Sequence, residues 1–368
     1  MTNEKSTVMK SKLIVFMMTL LMTAHAGKAG ACTGITLKTQ AGETILARTI
    51  EWAGSNLGSS YVIVPRGYRQ RSYVPGGKKY GMDFAARYGY VGMSVETEEF
   101  VSEGLNEEGL SVGLFYFPGY GKYEDYMPEH RQSTVSDLQL VSWLLGECRT
   151  VDEVKRAIGR VHVVSVYPNA STVHWRIADA SGRQVVLEIV DRKPRFYENR
   201  LGVLTNSPGF EWHLTNLNNY INLFPGKAGD RTMGNITLSS IGGGSGMLGL
   251  PGDFTPPSRF IRAAFFQTTA PRMVTAGQAV RQCFQILNNF DIPVGAQFLD
   301  GENMPDIPSA TQWTAVTDIR NRRIYYRTMY NSMIRCIELN NIRFDEVKYR
   351  SAPLDKVTEQ PIEVITVE

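Results

Sequence analysis

The sequence predicts an α+β fold of antiparallel sheets covered by helices. Three observations carry this. Short runs of alternating apolar and polar residues, separated by tight turns, form one block after residue 32, a second around residues 171–208 and a third near the C-terminus. Helical patterns form blocks of their own between them. No low-complexity linker, heptad or repeat interrupts the chain, and a 43% hydrophobic composition supplies a large core, so residues 32–368 read as a single domain.

The first element is a leader. It has a basic stretch with Lys10 and Lys12, an apolar core from Leu13 to Met22, and a small-residue cleavage site at Ala29-Gly30-Ala31. The apolar run is about half of the roughly 20 residues a transmembrane helix needs, and no later stretch comes close. The expectation is an exported protein, in a bacterial periplasm or outside the cell, with residues 1–31 removed as a signal peptide and no stable membrane insertion. The formal net charge of +3 belongs to this leader, which holds Lys5, Lys10, Lys12 and Lys28 against Glu4; the remainder is neutral. A neutral body carries no electrostatic footprint for nucleic acid or anionic membrane. A homo-oligomer is left open.

After the leader, CTGITLKT, an Ala41-Gly42-Glu43 turn and TILARTIEW read as a β-hairpin. A terminal strand held by ladder hydrogen bonds would fix Cys32 in place. Further strands are expected at SSYVIVP, YGYVGMSV and GLSVGLFYF, the last preceded by a turn at residues 106–109. An amphipathic helix is expected from Thr134 to Cys148, and Thr150-Val151-Asp152-Glu153 is a capping-box pattern opening EVKRAIGRV. STVHWRIAD, RQVVLEIV and RLGVLTNSP read as strands, FEWHLTNLNNYINL as a helix, and IGGGSGMLGLPGDFTPPSRF as a loop. A helix from Thr275 to Asn289 and strands at TQWTAVTDI, RRIYYRTMY and CIELNNI complete the order.

Cysteine usage singles out Cys32. Four cysteines, Cys32, Cys148, Cys283 and Cys336, imply no disulfide framework, and Cys148 and Cys283 sit in apolar helical patterns as buried thiols do. Cleavage after Ala31 would leave Cys32 as a thiol carrying its own free α-amine. Such an amine titrates near 7.7–8.0, so it is substantially neutral at physiological pH and can take the thiol proton; no histidine is required. His130, His162, His174 and His213 show no HxxxH spacing and read as structural or surface residues, and no metal or cofactor is expected. Glycines 242–244 and 246 lack the following Gly-Lys-Ser/Thr of a phosphate loop. Two other readings of Cys32 stand beside the nucleophile. Cleavage after Ala26 would leave it a small buried residue, and lipidation would make the chain a non-catalytic exported lipoprotein or bile-binding module. The lipidation reading lacks the aliphatic residue expected three positions before such a cysteine.

Through CTGITL, ARTIEW, LTNSPGFEWHLTNLNNY and GLPGDFTPPSRFIRAAF, essentially the whole chain after the leader resembles the choloylglycine hydrolase family. That family contains bile salt hydrolases and penicillin V acylases and belongs to the N-terminal nucleophile hydrolases. The resemblance implies an αββα sandwich, two stacked antiparallel sheets between helical layers. It makes Cys32 the nucleophile and, through its amine, the proton acceptor. Arg48 matches an arginine lying against the thiol, Asn206 an oxyanion-hole side chain working with a backbone N–H from the strand ending FYFP, and Arg259 a second cation for the developing charge. Glu51 stands where the family usually has an aspartate contacting the amine, one methylene shorter. Tyr116 stands where bile salt hydrolases commonly carry asparagine and penicillin V acylases tyrosine. Without the resemblance, Arg48 and Glu51 read as a surface ion pair, Asn206-Ser207-Pro208 as a turn and Arg259 as a loop cation.

The expected activity is hydrolysis of a linear amide in a small-molecule substrate, a glycine- or taurine-conjugated bile salt first and penicillin V second. Aromatic residues in Trp52–Tyr61 and Phe115–Tyr126 are expected to supply an apolar pocket.

Overall fold

The computed structural model describes residues 30–299 and 301–367. Residues 1–29 of the expected leader lie outside the described residues. In chain order the elements are β1 (Ala31–Lys38), β2 (Thr44–Glu51), β3 (Ser60–Val64), β4 (Arg69–Val74), β5 (Lys78–Ala85), β6 (Tyr90–Ser94), β7 (Val101–Asn106), β8 (Ser111–Tyr116) and β9 (Thr134–Ser136). Helices α1 (Leu140–Glu147) and α2 (Val151–Ile158) follow, then β10 (His162–Val164), β11 (Val173–Ala178), β12 (Gln184–Val190) and β13 (Lys193–Glu198). The chain continues with α3 (Phe210–Asn216), the exposed hairpin β14 (Arg231–Met233) and β15 (Ile236–Leu238), α4 (Pro256–Thr269), α5 (Ala276–Leu287), β16 (Thr311–Asp318), β17 (Arg323–Thr328), β18 (Arg335–Glu338) and β19 (Arg350–Pro353).

Two antiparallel sheets form the centre: a five-stranded sheet in the order β1-β2-β16-β17-β18, and an eight-stranded sheet in the order β13-β12-β11-β8-β7-β6-β3-β19. Helices α4 and α5 pack on the first sheet and α1 on the second, which yields four layers. β2 is buried along its whole length because it runs in mid-sheet with a neighbour on each side and layers on both faces. Ile35, Ala47, Val91, Leu105 and Phe115 meet in one apolar cluster between the sheets, and α1 and α2 close a second against Val112, Trp175 and Ile177. The β1–β2 turn closes as expected, with Gly42 N–H donating to Thr39 O at 3.0 Å.

Several expectations change. Thr134–Ser136 is a short strand pairing in parallel with His162–Val164, and the helix begins only at Leu140. Asp137 holds the break, accepting the Leu138 and Val166 amides. Val101–Asn106 is a strand that its acidic surroundings hide, and Leu201–Pro208 is nearly free of ladder pairing, touching β1 only through a bridge between Gly34 and Leu204. The two prolines read as loop residues are the first residues of α4, where a missing N–H costs nothing, so Arg259 is helical. At α2 the capping box is half made: Thr150 accepts the Glu153 amide, while the Glu153 carboxylate accepts from Arg149 N. The box at α5, Thr275 with Gln278, is complete.

Candidate active site

Cys32 is the second residue of β1, paired with Ile50 of β2, and is buried near the start of that strand. Its sulfur accepts a hydrogen bond from Arg48 Nη2 at 2.9 Å. Arg48 is fully buried on β2 and faces the gap between the sheets. Its Nη1 donates to Leu114 O at 2.6 Å and Ser102 O at 3.2 Å, and its guanidinium lies 4.2 Å from the Phe115 ring centre.

The Cys32 nitrogen, an amide while Ala31 is attached, occupies the place of the α-amine of a chain starting at residue 32. It donates to Asn206 Oδ1 at 3.0 Å. The bridge between Gly34 and Leu204 brings Asn206 to this point, with Gly34 N–H donating to Leu204 O at 2.7 Å. Asn206 Oδ1 also accepts from Arg259 Nη2 at 2.6 Å, and Nδ2 donates to Tyr116 O at 2.8 Å. An amide nitrogen has two hydrogens, so one remains for an incoming oxygen. Arg259 Nη1 reaches Cys32 O at 2.6 Å and Thr33 Oγ1 at 2.8 Å. The Tyr116 backbone N–H points at the sulfur, while its hydroxyl donates to Ser171 Oγ at 2.7 Å.

Glu51 lies one residue beyond Ile50 on β2, opposite Ala31. Its carboxylate is buried, and among the described residues neither oxygen makes a hydrogen bond of good geometry, although the Thr49 hydroxyl is near enough to favour its charged form. Burial pushes its pKa up to about 7, against the lowering pull of Arg259, the Thr49 hydroxyl and Arg48. The surface ion pair expected of Arg48 and Glu51 does not form. An odd spacing on a strand sends the two side chains to opposite faces. Both are buried.

Burial likewise pushes the Cys32 thiol up; Arg48, the Tyr116 N–H and Arg259 pull it down, and Glu51 adds to the rise. The net direction is a rise, so with Ala31 attached burial outweighs the pull of the Arg48 guanidinium that the resemblance places against the thiol. Cys148 and Cys283 are buried free thiols pushed upward, Cys148 to about 12, as inert packing residues are.

The five residues expected beside Cys32 therefore lie around it: Arg48, Asn206 and Arg259 through hydrogen bonds, Tyr116 through its backbone and Glu51 through its charge. Sequence reasoning missed three others. His213 Nε2 donates to Asn206 O at 2.9 Å and stacks on Phe260, supporting the asparagine from behind; burial holds its pKa down at about 4. Glu103 and Arg176, buried between the sheets, lie beside Arg48, with Glu103 Oε2 3.5 Å from Arg48 Nη1. A charge in the middle of an apolar strand was the available signal. The aromatic segments divide: Phe115, Phe117 and Tyr123 are core residues, whereas Tyr120 is exposed and Trp52 and Tyr61 are half-buried.

The family model for linear amide C–N hydrolases, choloylglycine hydrolase family, matches residues 32–350. A bile salt hydrolase/transferase of Clostridium perfringens is 30% identical over 326 residues, 86% of this chain and 95% of that protein. One from Lactiplantibacillus plantarum is 32% identical over 274 residues, 73% of this chain and 82% of its own length. Among solved structures, a variant of conjugated bile acid hydrolase from Clostridium perfringens has a TM-score of 0.78 at 28% identity, covering 91% of this chain and 100% of that one. Penicillin V acylase from Agrobacterium tumefaciens, at 21% identity and a TM-score of 0.70 over 88% of this chain and 92% of its own, shares the fold. A match that begins at the cysteine on which the buried polar groups converge leads to one conclusion: the chain is an amidohydrolase and belongs to the choloylglycine hydrolase family of linear amide C–N hydrolases.

Proposed function

We propose that the chain is an exported enzyme, acting in a bacterial periplasm or outside the cell, that releases glycine or taurine from conjugated bile salts with Cys32 as its N-terminal nucleophile. One observation carries this reading: the sulfur and the nitrogen of a single residue are each engaged by a separate buried polar side chain, Arg48 at 2.9 Å and Asn206 at 3.0 Å. The family match starting at residue 32 and the bile salt names of the relatives support it.

In the mature chain the α-amine accepts the Cys32 proton as the sulfur attacks the substrate carbonyl. The second Asn206 Nδ2 hydrogen and the Tyr116 backbone N–H hold the oxyanion, and the Arg259 charge lies behind them. Collapse breaks the C–N bond, and the ammonium gives its proton to the departing amine. Water then attacks the thioester, giving a proton to the amine, and the sulfur leaves and is reprotonated. Glu51 is the counter-charge for the ammonium.

Tyr116 favours a second reading, penicillin V acylase, because the resemblance gives those enzymes tyrosine at this position, where bile salt hydrolases commonly carry asparagine, and its backbone faces the sulfur. Parallel incubation of the purified protein with taurocholate, glycocholate and penicillin V separates the two. Release of taurine or glycine is expected; rapid penicillin V turnover without either overturns the bile salt assignment. N-terminal sequencing of the exported protein is expected to begin at Cys32. A lipidated or upstream start would leave no free amine and refute the mechanism.

A further inference from the structure

We infer that Arg176 is a positioning residue: by sharing the Glu103 carboxylate it keeps Glu103 from capturing Arg48, and so leaves the Arg48 guanidinium facing the Cys32 sulfur. This rests on Cys32 being the nucleophile.

The three side chains come from both sheets and meet in the buried gap between them. Glu103 Oε2 lies 3.5 Å from Arg48 Nη1, and Glu103 Oε1 lies 3.5 Å from Arg176 Nη2. Neither approach reaches the 2.7–2.9 Å of a charge-assisted hydrogen bond, so one carboxylate is divided between two cations and committed to neither. Arg176 is itself tethered, its Nη1 donating to Ala47 O at 3.0 Å and Ile35 O at 3.2 Å, and both guanidiniums lie over the Phe115 ring, Arg48 at 4.2 Å and Arg176 at 5.5 Å.

The backbone is shaped for this cluster. Gly113 sits in the ladder between Glu103 and Arg176, where a Cβ would come 2.0 Å from Glu103 Oε2. Gly34, opposite Arg48 on β1, leaves the room that Arg176 Nη1 and Phe115 use; a Cβ there would meet them at 2.9 and 3.0 Å.

Charge bookkeeping gives the cluster its direction. Arg48, Arg176 and Glu103 sum to one positive charge, which a thiolate at Cys32 cancels. The charges acting on the thiol are Arg48, Glu51 on β2 and Arg259 on α4, so Arg176 and Glu103 bear on it through Arg48. Without Arg176, Glu103 has one partner left and closes on Arg48, whose charge is then spent away from the sulfur. Without Glu103, no carboxylate beside Arg48 competes with the sulfur that its Nη2 already bonds at 2.9 Å.

Two substitutions should therefore move Cys32 in opposite directions, which damage to packing does not do. The readout is the pH midpoint of Cys32 alkylation by iodoacetamide, followed on the Cys32 peptide by mass spectrometry in protein beginning at residue 32. Arg176→Met is expected to raise the midpoint by about one pH unit, the scale of one neighbouring charge, and Glu103→Gln to lower it by a similar amount. The double variant, with no carboxylate to compete, is expected to lie at or below the parent midpoint. An unchanged or lowered midpoint in Arg176→Met, a raised one in Glu103→Gln, or a double variant as high as Arg176→Met overturns the inference. If Arg176→Met does not fold, Glu103→Gln and the double variant decide by the same criteria. Cys32→Ser tests the nucleophile separately: hydrolysis retained there refutes the proposed function, whatever the alkylation midpoints do.

Discussion

Glu51→Gln is expected to act with opposite signs before and after the leader is removed. With Ala31 attached, the Glu51 carboxylate is buried and among the described residues makes no hydrogen bond of good geometry, and its pKa stands at about 7 against an ordinary 4.5. A carboxyl raised on folding binds its proton more tightly in the folded chain, so stability falls as pH rises from the unfolded value through the folded one. Worked through this window, the cost of ionising Glu51 is roughly 1 kcal/mol at pH 5 and roughly 3 kcal/mol at pH 7. Glutamine has no charge to acquire. In protein made with residues 30 and 31 retained, the substitution should therefore stabilise by about 2 kcal/mol more at pH 7 than at pH 5, measured by urea unfolding. In protein beginning at Cys32 the proposed mechanism pairs the α-ammonium with the carboxylate, so the same change should destabilise the fold at both pH values and slow hydrolysis. Equal stabilisation of the two forms would refute the pairing of Glu51 with the amine. A pH-independent effect in the longer form would refute the unpaired buried carboxylate.

Asn206→Ala removes the free amide hydrogen, and steady-state kinetics should show kcat down by about 10²–10³ with little change in KM; a loss confined to KM would contradict its place at the oxyanion. His213, held near 4 by burial and hydrogen-bonded to Asn206 O, resists protonation in the fold. Its depressed pKa means stability is full above about 6.5 and lost as pH falls toward 4, by up to roughly 3 kcal/mol. Urea unfolding of His213→Gln at pH 4.5 and 7 should show a shallower pH dependence than the parent. Gly113→Ala drives a methyl against Glu103 and should cost about 1–3 kcal/mol in unfolding experiments while moving the Cys32 alkylation midpoint; a stability loss with no shift in the midpoint would separate Glu103 from the thiol.

How much of this was legible in the sequence depends on how local each feature is. Strands such as Thr311–Asp318 and the complete cap at Thr275 follow from neighbouring residues alone. Cys32 stood out because of the small residues before it. Arg48, Asn206 and Arg259 owed their assignment to resemblance, since each looks ordinary in its own segment. Asn206 reaches Cys32 only through the bridge that lays residue 204 against residue 34, and Arg259 only because two prolines start a helix rather than a loop. Glu51 looked like half of an ion pair until the strand's two-residue period put Arg48 on the other face.

Glu103 and Arg176 lie furthest from local legibility. Each is a charge in the middle of a buried strand, and the partner that makes it tolerable is more than 50 residues away, in one case on the opposite sheet. Such clusters are poor stabilisers: an apolar set of the same volume usually serves a fold as well or better. Fold stability therefore does not account for a second arginine behind Arg48, and hydrogen bonding alone would be met by one arginine closed on Glu103. What one arginine cannot do is keep its guanidinium on the sulfur while Glu103 is free to close on it. The opposite shifts expected of Arg176→Met and Glu103→Gln thus test whether the gap between the sheets is built for the thiol or for the core.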